Sequence, residues 1–69
     1  MNGKQTNEKG TWEFHPGDHV RYIPLHARGD RKHADCENGK VTSTNEYYVF
    51  VRFRGGHPEA CRPDQLVKL

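Results

Sequence analysis

The sequence predicts a small all-β domain of five short strands, with a long loop after the first strand and a disordered N-terminal tail. Three observations carry this expectation. The 69 residues allow one domain with a thin core. Only 32% of them are hydrophobic, enough to cover one face of each strand. The apolar residues also alternate with polar ones in short runs bounded by Pro, Gly and Asn. A doubly wound sheet, a barrel of eight strand–helix units and a deep two-domain pocket are excluded by size alone. No stretch approaches the roughly 20 apolar residues of a membrane span, so no membrane partner is expected. The N-terminus has no apolar signal core, which points to the cytoplasm.

Residues 1–12 contain one apolar side chain after the initiator, Trp12, and show no period of 2 or 3.6. Such a segment buries too little surface to offset its ordering entropy, so 1–12 is expected to be a flexible tail and 13–69 the folded domain. His15-Pro16-Gly17-Asp18 is a turn signal, because Pro presets φ and Gly supplies φ > 0. Asp18 to Pro24 reads as the first strand, with Val20 and Tyr22 on one face. Pro24 closes it, having no N–H for a ladder. Residues 25–38 form a polar loop without a sustained period, with a short helical turn expected after Asp30. Lys40 to Thr44 is the second strand, after the Asn38-Gly39 turn.

Tyr47 to Arg54 carries the strongest alternation. Tyr47, Val49, Val51 and Phe53 share one face, and Tyr48, Phe50, Arg52 and Arg54 the other. Gly55-Gly56 turns the chain back. Pro58 to Arg62 is a short fourth strand, and Pro63 to Leu66 a single helical turn with Pro at its start. Leu66 to Leu69 is the last strand. The expected core is Val20, Tyr22, Val41, Val49, Val51, Phe53, Ala60, Leu66 and Val67.

Strand, long loop, three-strand meander, single turn and last strand is the layout of small five-stranded SH3-like barrels, which residues 14–69 resemble. The residues that carry the resemblance are Pro16-Gly17-Asp18-His19-Val20-Arg21-Tyr22, Gly39-Lys40-Val41 and Pro63-Asp64-Gln65-Leu66-Val67. The chain is also similar to small uncharacterised proteins of tailed phages and prophages. That second likeness rests on His26-Ala27-Arg28-Gly29-Asp30, His33-Ala34-Asp35-Cys36-Glu37 and Tyr48-Val49-Phe50-Val51-Arg52-Phe53. It implies a mobile-element origin and the cytoplasm of a bacterial host, and carries no known activity. The opening Gly17-Asp18-His19-Val20-Arg21 further resembles the type II dihydrofolate reductases. That family lines its central pore with Val-Gln-Ile-Tyr, and the corresponding stretch here is Glu59-Ala60-Cys61-Arg62. The activity does not carry over.

Four residues have the chemistry of a structural zinc site. His33 and Cys36 are separated by two residues, His57 and Cys61 by three, with twenty between the pairs. Such a staple would help a domain with so small a core. The order His then Cys departs from the usual Cys-x-x-Cys knuckle. The plainer reading is a pair of free thiols, with Cys61 a small buried apolar residue. A Cys36–Cys61 disulfide is a further alternative. A catalytic cysteine lacks the walled pocket and the base and oxyanion partners that such chemistry requires.

Eleven Lys/Arg against nine Asp/Glu give a net charge of +2, which permits an anionic partner without demanding one. The outward face of the strong strand, Tyr48, Phe50, Arg52 and Arg54, combines stacking rings with guanidinium groups. Arg28, Arg31 and Lys32 in the loop are expected beside it, and Arg21, Lys40 and Arg62 would extend the surface. The same residues suit a protein partner, with Trp12, Tyr22, Tyr47 and Tyr48 as aromatic candidates. The expected function is therefore a non-enzymatic binding module engaging a host protein. A nucleic-acid-binding domain and a zinc-stapled domain are the alternatives.

Overall fold

The computed structural model describes residues 10–69. Five strands follow one another: β1 (His19–Tyr22), β2 (Glu37–Thr44), β3 (Val49–Arg52), β4 (Glu59–Cys61) and β5 (Leu66–Lys68). They form one antiparallel sheet in the order β4-β3-β2-β1-β5. β4 and β5 are its edges, so among the described residues the ladder is not closed. An all-β domain with a long first loop is thus present. Most of the tail expected over 1–12 lies outside the described residues. Gly10 and Thr11, by contrast, are buried, and Thr11–Glu13 forms a 3-10 turn. The Glu13 carboxylate accepts the Gly10 N–H at 3.2 Å, tying this turn together.

The sheet has a wet face and a dry one. Val20, Val41, Val49 and Val51 all project to the dry side, where each is at most 2% exposed. Leu66 from β5 and Phe14 from the entry segment complete the packing, and Tyr22 meets Phe53 edge-on at 6.1 Å. The core expected from sequence changes in six places, two of them the half-buried Tyr22 and the buried Cys61. Ala60 is exposed, because it pairs with Phe50 on the outer face while its neighbour Cys61 pairs with Val49 on the inner one. Val67 is only half-buried, because it stands opposite Arg21 on the outer side. Phe14 and Ala27 join the buried set instead.

Local hydrogen bonds set the remaining differences. Tyr47 and Tyr48 are not in β3. The Asn45 side chain accepts both of their backbone N–H groups at 2.8 Å, folding 45–48 into a tight turn and leaving Tyr47 70% exposed. β2 begins at Glu37, earlier than the Asn-Gly pair suggests, because its first half pairs with β1. Gly39 is thereby an interior strand residue and not a turn. A Cβ there would lie 2.5 Å from Val51 Cγ1, so only glycine lets the inner face close. A bulge at Thr42 shifts the β2–β3 register, and the Thr42 hydroxyl donates to the Phe50 carbonyl.

The loop between β1 and β2 is a chain of small turns. Its 3-10 turn is Leu25–Ala27, before Asp30 and not after it, because Ala27 is the one loop residue that is apolar, small and buried. Beyond Asp30, single turns close from His33 N–H to the Asp30 carbonyl and from Cys36 N–H to the His33 carbonyl.

Candidate functional site

Antiparallel pairing places outward residues in rows across the sheet. His19 stands opposite Lys40, and Lys40 opposite Arg52. In the next row, Val67, Arg21 and Asn38 are neighbours. Phe50, two residues before Arg52 on β3, is opposite Ser43 and Ala60. The outer face therefore holds His19, Lys40 and Arg52, with half-buried Phe50 on one flank. Arg54 follows β3 with φ +47, the left-handed conformation that starts the turn into Gly55. His19, Asn38, Gly39, Lys40, Arg52, Arg54 and Leu69 line one open depression on this face.

No hydrogen bond or ion pair among the described residues occupies the side chains of Lys40, Arg52 or Arg54. The acidic side chains Asp18 and Asp64 are engaged elsewhere, with Lys68 and Arg62. The carboxylates of Asp35 and Glu37 line an adjoining depression with Arg21 and Arg54. Three free cations and a ring on one sheet face make a surface that attracts anions and offers a stacking platform.

Arg21 has a different task. Its Nε donates to the Arg31 carbonyl at 2.7 Å and its Nη1 to the Asn38 side chain at 2.6 Å. This fork fastens the middle of the long loop to the sheet. The loop cations do not join the β3 cations. Arg28 and Arg31 line a separate groove with Ile23, Pro24, Leu25, Asp64, Gln65 and Val67, and Lys32 is exposed beyond it. Of the seven expected binding residues, Phe50, Arg52 and Arg54 share the outer face. Tyr48 sits in the turn just before β3, 43% exposed, while Arg28, Arg31 and Lys32 stand apart. Lys40, expected as an extension of this surface, stands on it opposite Arg52, and the missed member is His19, which pairs with Lys40 in a register that β1 alone does not reveal.

The expected zinc set is not gathered. Cys61 faces the core from β4, and its thiol donates weakly to the Glu59 carbonyl at 3.6 Å. Burial, with Glu59 adding to it, pushes this thiol up to about 11, so it stays protonated at neutral pH and is no nucleophile. Cys36 is half-buried at the end of the loop, its Sγ against the Asp30 carbonyl at 3.2 Å, and His57 is exposed in the turn before β4. Both cysteines are free thiols. His33 instead meets His26 and Asp35, two loop residues that spacing alone gave no reason to pair. No family model, curated protein or solved structure matches the chain.

Proposed function

We propose that this domain is a non-enzymatic binding module of the SH3-like barrel type, and that its outer sheet face takes a single-stranded nucleic acid. The observation that carries the reading is the row Lys40–Arg52 with Arg54 beyond it, three cations without an acidic partner on an exposed, slightly concave face. Phosphates spaced along a strand would pair with these groups, and Phe50 beside them offers a face for a base. The strand order, with a three-strand meander flanked by β5 on β1, supports the barrel-type layout. A protein partner is the competing reading, favoured by the exposed rings of Trp12, Tyr47 and Tyr48. Those rings lie on turns outside the β3 ladder and do not share the cationic depression.

The test is binding of a mixed-sequence oligonucleotide over a range of salt. Each phosphate contact to a single strand contributes a slope of about −0.7 in log K against log salt, so Arg52→Ala with Arg54→Ala should reduce the slope by about 1.4 and weaken binding. An affinity and slope unchanged in the double variant, or no binding at low salt, overturns the reading. In that event a host protein becomes the partner to seek.

A further inference from the structure

We propose that His26, His33 and Asp35 form a binding site for one divalent transition-metal ion of the zinc class, on the long loop beside the outer sheet face. Their ligand atoms all lie within 4.8 Å of one another. His26 Nε2 is 2.6 Å from Asp35 Oδ2, and His33 Nδ1 is 4.0 Å from the same oxygen. The two imidazoles meet edge-on with centroids 5.2 Å apart. Two imidazoles and one carboxylate are a borderline donor set, matched to zinc and its neighbours and not to calcium or magnesium, which take oxygen ligands.

The movements required of the two contacts to Asp35 are small. Bonds of roughly 2.0–2.2 Å place tetrahedral ligand atoms about 3.3 Å apart. The His26–Asp35 contact must open by well under an ångström and the His33–Asp35 contact must close by a similar amount. All three side chains are partly exposed, with 62%, 34% and 59% of the His26, His33 and Asp35 side chains reaching solvent. The lone pair of His33 Nδ1 now accepts the Asp35 backbone N–H at 3.0 Å. The metal would take over that lone pair and leave the exposed amide to water. At His26 the ion would replace the hydrogen bond between Nε2 and Asp35, leaving the neutral ring's one N–H on Nδ1. Three protein ligands leave the remaining positions to water.

The backbone holds the ligands in place beforehand. His26 belongs to the 3-10 turn whose Ala27 is buried, and His33 and Asp35 to the turn closed from Cys36 N–H to the His33 carbonyl. The Arg21 fork on the Arg31 carbonyl fastens the segment between them. An ion would thus bridge the two ends of the loop.

Isothermal titration of the full chain with zinc chloride tests the site. One ion per chain is expected, with His26→Ala, His33→Ala and Asp35→Asn each weakening it at least about tenfold, while His57→Ala leaves it unchanged. Amide NMR spectra of the variants confirm that each is folded. Cobalt substitution reports the ligand type: oxygen and nitrogen donors give d–d bands without sulfur-to-metal charge transfer. Absence of binding overturns the proposal, as does affinity unaffected by the His26 and Asp35 changes. A sulfur charge-transfer band or a loss of binding in His57→Ala also overturns it, in favour of a site built on the cysteines.

Discussion

At Gly39 a single missing methyl group decides whether β2 can lie against the core. A Cβ there would meet Val51 Cγ1 at 2.5 Å, Phe53 Cδ1 at 2.8 Å and the Arg52 carbonyl at 2.9 Å. The carbonyl belongs to the paired strand and cannot swing aside, so Gly39→Ala should cost about 2–3 kcal/mol, read from urea denaturation. The two cysteines differ in the same local way. Cys61 is 7% exposed with its thiol pushed up to about 11, whereas Cys36 is half-buried at a loop end. One thiol per folded chain should react quickly with a disulfide reagent and the second only on unfolding. Mass mapping that finds Cys61 modified first would contradict this assignment.

At the scale of elements, the turns show what the sequence discloses. His15-Pro16-Gly17-Asp18 is legible because its residues act locally: Gly17 takes φ +97, and the Asp18 carboxylate accepts the His15 N–H at 2.9 Å. That hydrogen bond, followed by Lys68 3.5 Å away, holds the Asp18 carboxyl below its ordinary value near 3.8. A depressed folded-state pKa stabilises the fold above the ordinary value, and that contribution is lost as pH falls from there through the lowered folded-state value. Asp18→Asn should therefore lower Tm at neutral pH and flatten its fall on acidification, as thermal melts from about pH 7 to about pH 3 would reveal. The alternation of Val49, Val51 and Phe53 was equally legible. The start of β2, the outward place of Ala60, and His19 beside Lys40 were not, because each depends on register with a distant strand. The same holds for the His26–Asp35 meeting, which depends on how the loop folds back on itself and on the Arg21 fork.

For the whole molecule, the division into a dry and a wet face puts the packed core on one side of the sheet and, among the described residues, the unpaired cations on the other. The fully buried side chains are Leu66, Val20, Val41, Val49 and Val51, and none is larger than leucine. A domain of this length has roughly 3–10 kcal/mol of total stability at the usual value per residue. Truncating a buried leucine costs about 2–5 kcal/mol, and Leu66 is wholly buried within the core cluster. Leu66→Ala should therefore leave a chain substantially unfolded near physiological temperature. Arg52→Ala and Arg54→Ala remove exposed side chains without partners among the described residues, and should shift Tm little. Arg54→Gly should even raise it, because a side chain at φ +47 is strained where glycine is not. Thermal melts of the four single variants beside the oligonucleotide titration decide the matter. If Arg52→Ala unfolds the domain as Leu66→Ala does, the outer face is part of the scaffold and its cations are not free to serve a ligand.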